Sequence, residues 1–274
     1  MLTFDLYGLG VRSRVTVEGE RAHELADAVR AAWSRCLTPR GGERDGGEFV
    51  LEWAASESAA DGPRTGEKAR PGRTKLRHAD LPGLLQQFTQ AVTSASIAAQ
   101  SGRLLMLHAG AVTDPRSGAG LAYIAPGGTG KTTLSRVLGR THGYVTDETV
   151  GIAADGSLVP YEKPLSVRPR PWKGVKLETS PDALSLATVH PDAHIGRLAL
   201  LRRDNDIAHP AIEEIDTLDA IVSIAPESSS LSALPLPLHH LASLLDRLPP
   251  TLVVRYAEAE SLRPVLLDAL GAAR

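Results

Sequence analysis

The segment Tyr123-Ile124-Ala125-Pro126-Gly127-Gly128-Thr129-Gly130-Lys131-Thr132-Thr133 constrains this chain more than any other. Apolar residues Leu121-Ala122-Tyr123-Ile124 read as a buried strand, and Leu134, Val137 and Leu138 give a helical stripe directly after the glycines. A glycine-rich turn between a strand and a helix lets backbone N–H groups converge on an anion, with the helix N-terminus behind them. The pattern is that of a phosphate-binding loop, G-x-x-x-x-G-K-[ST], with Ala125 at the first glycine position, where the strand ends. Pro126, Gly127, Gly128, Thr129, Gly130, Lys131, Thr132 and Thr133 are thus the expected nucleotide-binding residues. Lys131 is expected to reach the β- and γ-phosphates, and the Thr132 hydroxyl to ligate Mg²⁺.

The acidic residues come early. Asp147-Glu148 follows Tyr144-Val145-Thr146 after a single helix and the turn Gly139 to Gly143. Most ATPases and GTPases with such a loop place their metal-side carboxylate after at least one further strand and helix. A carboxylate in this position can hold Mg²⁺, and its neighbour can take a proton from an attacking hydroxyl. In a regular strand the two side chains would point to opposite faces, which separates their roles. Upstream, the apolar run Leu104 to Val112 carries one histidine, His108, which by itself reads as a core residue.

Taken together, His108-Ala109-Gly110-Ala111-Val112, the loop at 125–132 and His142-Gly143-Tyr144-Val145-Thr146-Asp147-Glu148-Thr149-Val150 resemble the catalytic core of HPr kinase/phosphorylase. That core runs strand with histidine-glycine, hairpin, loop, helix, then an RGH-led segment ending in two acidic residues. Phosphoenolpyruvate carboxykinase shares the nucleotide-binding arrangement but is a much longer chain. The resemblance covers about residues 103–170. It implies an α/β (α+β) fold with a mixed sheet, and an ATP- and Mg²⁺-dependent kinase. It puts Lys131 and Thr132 on the phosphate and metal positions and Asp147 on the residue that moves the substrate proton. Glu148 falls on the second metal-side position, where aspartate is usual, and His108 on the histidine lining the transferring phosphoryl group.

The glycine-rich signature that follows the core of the HPr enzymes has no counterpart after Ser180. The shorter HPr-kinase-like proteins of bacteria, among them lasso-peptide tailoring kinases, are the nearer match. They share an opening like Tyr7-Gly8-Leu9, the "LHA" strand and a "K-P-L-S" segment, here Lys163 to Ser166. The implied reaction moves the γ-phosphoryl group to a hydroxyl or carboxyl of a peptide, protein or small molecule. The alternative is a nucleotide-binding regulatory or scaffold protein that has lost transfer. Relatives of this kind often assemble, so a homo-oligomer is compatible with the resemblance.

The remaining sequence sets the frame. The 274 residues can bury a substantial core. A net charge of −2 leaves no basic footprint for nucleic acid or an anionic membrane. The single cysteine, Cys36, excludes an internal disulfide, and its spacing from Leu25, Val29 and Trp33 puts it on an apolar helix face. No apolar stretch approaches the roughly 18 residues of a membrane span, and Met1 leads into an alternating strand, so the chain reads as cytoplasmic.

Residues 1–54 read as a small β-β-α-β module, with Leu2 to Tyr7, Val11 to Val17, a helix from Glu20 to Leu37 and a strand from Glu48 to Ala54. Residues 55–78, rich in Gly, Pro and charge, read as a flexible loop carrying the basic cluster Arg70, Arg73, Lys75 and Arg77. Residues 79–274 form the expected catalytic domain, starting with a helix from Leu81 to Gln100. Asp155-Gly156 marks a hairpin turn. Prolines 164, 169 and 171 forbid a helix there, and Arg168, exposed with Arg170 on that segment, is a candidate clamp for the γ-phosphate. A strand at Arg197 to Leu201 and a helix–strand–helix ending, Leu238 to Leu270, complete the reading. Pro191 between His190 and His194 argues against a helical metal pair, and no structural zinc is expected.

Overall fold

The structure, a computed structural model, describes residues 1–39, 44–54, 72–168 and 175–271. In chain order its elements are β1 (Leu2–Gly8), β2 (Val11–Glu18), α1 (Ala22–Ala32), β3 (Arg44–Trp53), β4 (Arg73–His78) and α2 (Leu81–Gln100). Then come β5 (Leu105–Thr113), β6 (Ala119–Ile124), α3 (Lys131–Leu138), β7 (Gly143–Thr146), β8 (Thr149–Ile152), β9 (Leu158–Val159), β10 (Leu165–Val167) and β11 (Leu177–Thr179). The chain finishes with β12 (His194–Arg203), β13 (Ala211–Ile215), α4 (Thr217–Ile224), β14 (Ser228–Ser229), α5 (Pro237–Leu245), β15 (Thr251–Tyr256) and α6 (Leu262–Gly271). No described helix is long and apolar enough to cross a membrane.

The chain divides into two compact units, 1–99 with 163–183, and 100–162 with 184–274. In the first, the sheet order is β1-β2-β3-β4. β1 and β2 form an antiparallel hairpin, whereas β3 and β4 each add in parallel. The hairpin turns at Leu9 and Gly10, both at positive φ, the backbone that matches the twist of two-residue hairpins. One face of the sheet is apolar, and Phe88 of α2 packs against Phe49 and Trp33 with ring centroids 5.7 and 5.6 Å away. Asp80 caps α2 by accepting from Gly83 N. The helix expected from Glu20 to Leu37 stops at Ala32, and Ser34–Cys36 continues as one 3₁₀ turn with Cys36 buried. That turn is fixed by Asp182, which accepts from Ser34 and pairs with Arg35 at 2.8 Å.

Part of the segment expected to be a loop is a strand. Arg73–His78 pairs with β3, because Leu76 continues the apolar face. Arg73, Lys75 and Arg77 project from alternate positions and pair with Glu48, with Glu18 and Glu52, and with Glu52 respectively. These exposed pairs stabilise little individually, about 0–1 kcal/mol. Residues 55–71, Arg70 among them, lie outside the described residues, as does Arg170.

The second unit is built on a nine-stranded mixed sheet in the order β13-β15-β12-β6-β5-β8-β9, with β7 and β14 also paired to β5. β15, β12 and β6 run parallel, and β5 is antiparallel to β6. All six residues of β6 are buried, which follows from apolar layers on both faces. Ala122, Ile124, Leu198, Leu200 and Val253 face α4 and α5, while Leu121, Tyr123, Ala199, Leu201 and Val254 face α3 and α6. The Asp155-Gly156 turn joins β8 to β9 as the sequence suggests. The short α4, β13 and β14 are additions that no sequence periodicity marks.

Candidate functional site

The glycine loop leaves the carboxyl end of β6, where ligand crevices of open α/β sheets lie. Its conformation needs glycine at two points: Gly128 has φ 83° and Gly130, the residue before α3, has φ 99°. A Cβ on Gly127 or Gly128 would meet nothing, so the loop's outer face is open, whereas one on Gly130 would press Ala259 at 3.3 Å. Pro126, Gly127 and Gly128 are exposed, and Thr129, Gly130, Thr132 and Thr133 half-buried. The Thr129 hydroxyl donates to Pro126 O at 2.8 Å, and the Tyr256 hydroxyl at the end of β15 donates to Thr129 O. The loop is thereby pinned from within and from β15, two strands away from β6 in the parallel part of the sheet.

Lys131 opens α3 and is only 7% exposed. Its ammonium donates to Ala125 O and, at 3.0 Å, to Pro126 O. Burial pushes it down from 10.5 to about 8, against the opposing pull of Glu227, Asp147 and Glu148. At the next residue, Thr132 Oγ1 donates to Asp147 Oδ2 at 2.8 Å. The Tyr144 hydroxyl donates to Asp147 Oδ1 at 3.2 Å, and Asp147 is buried.

The acidic pair does not sit in a regular strand. β7 and β8 run antiparallel along one edge of β5 but part at Asp147 and Glu148, with a register shift beside Thr146. The ladder resumes at Thr149 opposite His108, and Glu148 O accepts from Ala109 N at 3.1 Å. This break lets Asp147 turn to Thr132 while Glu148 stays half-exposed. Gly110, across from this stretch, has to be glycine: a Cβ there would lie 2.2 Å from the Tyr123 ring. Tyr123 is fully buried, its hydroxyl 2.5 Å from Ser135 Oγ, and burial pushes its phenol well up.

His108 is 39% exposed at its side chain, and its Nδ1 lies 3.2 Å from Glu227 Oε2. Glu227 belongs to no motif. It ends the one-turn helix Ala225–Glu227 and is brought in by long-range pairing of Ser228 and Ser229 with Leu107 and Met106. Only the capping Asp216, accepting from Asp219 N, hints in the sequence at a helix leading there. Lys131, Thr132, Asp147, Glu148, His108 and Glu227 all lie in the second unit. Arg168 is exposed and belongs to the first unit, directly after β10.

Thr132, Asp147 and Glu148 offer a hydroxyl and two carboxylates, the all-oxygen donor set that suits Mg²⁺. Four adjacent loop residues and a helix N-terminus offer N–H groups for phosphate.

No family model matches the chain, and no curated protein matches it. Among solved structures, the chain is similar to the Hpr(Ser) kinase/phosphatase from Coxiella burnetii, at 12% identity and a TM-score of 0.33. That match covers 61% of this chain and 93% of the other.

Proposed function

We propose that the protein is an ATP- and Mg²⁺-dependent phosphotransferase that moves the γ-phosphoryl group to an acceptor on a peptide, protein or small molecule. The observation that carries this reading is the 2.8 Å hydrogen bond from Thr132 to Asp147. It joins the hydroxyl that follows the loop lysine to a carboxylate directly after the very next strand. The order of motifs that resembles HPr kinase/phosphorylase supports the same reading.

In this reading the amides of 127–130 cradle the phosphates, and Lys131 exchanges its two carbonyl partners for phosphate oxygens. Thr132 and Asp147 would hold Mg²⁺, with Glu148 beside them; when bound, the ion neutralises charge on the β- and γ-phosphates. This divides the acidic pair differently from the division the resemblance implies. Asp147 has both oxygens committed to hydroxyl donors and is buried, which suits a metal-side residue better than a group that must meet an acceptor.

The test is transfer of label from γ-labelled ATP with Mg²⁺ into a lysate of cells that make the protein, resolved by mass. A discrete labelled species with wild type and none with Lys131→Ala is expected. Tight nucleotide binding without transfer would instead favour a nucleotide-dependent scaffold.

A further inference from the structure

Glu227 occupies a place that the sheet defines closely. β6 and β14 must lie along the same edge of β5, since β7 and β8 fill the other. β6 covers Ala109 onwards and then departs into the glycine loop, and Ser228 takes up the edge at Leu107. Glu227 stands in the gap, one residue back along the β14 register, which sets it beside His108. The side chains meet there, Nδ1 to Oε2 at 3.2 Å.

A carboxylate accepts hydrogen bonds, so in this contact Nδ1–H is the donor, and in the neutral imidazole Nε2 is then the acceptor. Asp147 is committed elsewhere, to Thr132 and Tyr144. Resting on the phosphotransferase reading above, we infer that Glu227 is a positioning residue that holds His108 as the proton acceptor of the reaction. This task is the one the resemblance gives to Asp147. A base of this kind serves an alcohol, because a carboxylate acceptor is already ionised at neutral pH. As the acceptor oxygen bonds to the γ-phosphorus, its proton passes to His108 Nε2. The bond from the γ-phosphorus to the β,γ-bridging oxygen breaks, ADP leaves, and a phosphate monoester remains. Half-exposed His108 then returns its proton to solvent.

The experiment uses the full chain, γ-labelled ATP with Mg²⁺ and the lysate as acceptor source. Initial transfer rates are measured against ATP concentration for wild type, Glu227→Gln, His108→Gln and the double variant, with thermal unfolding of each as a check on folding. Glu227→Gln is expected to slow transfer at saturating ATP by about tenfold or more while leaving KM for ATP within about twofold. The double variant is expected to be no slower than His108→Gln, because the two residues act as one unit. Label in the product is expected to resist hydroxylamine, as a phosphate ester does and an acyl phosphate does not. Wild-type rates in Glu227→Gln, multiplicative losses in the double variant, or hydroxylamine-labile product would each overturn the inference while leaving a phosphotransferase standing. A wild-type protein that binds MgATP and transfers nothing would remove the phosphotransferase reading, and this inference with it.

Discussion

Thr132 and Asp147 are joined at 2.8 Å across the space between α3 and the end of β7, and Tyr144 holds the other oxygen of Asp147 at 3.2 Å. Two hydroxyl donors on one buried carboxylate fix its orientation before any ligand arrives, which is the preorganisation a metal-side group needs. Asp147→Asn removes the charge with little change of shape. The expected outcome is a fall in transfer rate on the order of 100-fold and loss of the Mg²⁺-dependent part of ATP affinity, read by calorimetry with and without the ion. An Asp147→Asn protein whose ATP affinity still rises with Mg²⁺ would contradict the metal-side placement.

The bond from Tyr256 to Thr129 O fastens the glycine loop to β15, and the Tyr256 ring is buried. Tyr256→Phe keeps the ring in the core and deletes one donor, leaving a loop carbonyl without that partner. Stability is expected to drop by about 1 kcal/mol, and KM for ATP to rise severalfold because the loop amides lose part of their fixed geometry. Chemical denaturation and steady-state kinetics measure the two effects separately; an unchanged KM would show that the loop holds its shape unaided.

The strand–loop–helix at 121–138 is legible in the sequence because each part is local: apolar run, glycines, lysine, helical stripe. The early acidic pair and the β1–β2 hairpin are legible for the same reason. Glu227 is not, since its position depends on Ser228 and Ser229 pairing with Leu107 and Met106, residues more than a hundred positions away. Arg73–His78 is hidden for a related reason. Its alternating charges look like solvated loop, and only parallel pairing with β3 shows that they line the wet face of a sheet. The break between β7 and β8 likewise depends on the register of β5, so the sequence could say only what a regular strand would do.

Gly110 and Tyr123 face each other in the β5–β6 ladder, and a Cβ on Gly110 would lie 2.2 Å from the ring. Tyr123 cannot swing aside, being fully buried and tied to Ser135. Gly110→Ala is therefore expected to cost about 1–3 kcal/mol through overpacking, measured by denaturant titration. Shortening the ring should relieve it: Gly110→Ala with Tyr123→Leu is expected to be more stable than the sum of the single losses. Strict additivity would show that the strain lies elsewhere.

Lys131 gives a pH signature. Burial lowers its folded-state value from 10.5 to about 8, so between these limits the unfolded chain keeps a proton that the folded chain has released. Stability contributed by this group therefore rises with pH across that window, and below about pH 8 both states are charged and the dependence vanishes. The difference in unfolding free energy between wild type and Lys131→Met isolates this from other titrating groups. That difference is expected to be flat from pH 6 to 7 and to shift in favour of wild type from about 8 to 10.5. Bound phosphate oxygens would draw the proton back onto Nζ, so MgATP binding near pH 9 is expected to take up protons in wild type and fewer in Lys131→Met. Calorimetry in buffers of different ionisation enthalpy reads that uptake directly. Equal uptake by both proteins would mean that Lys131 does not meet the phosphates.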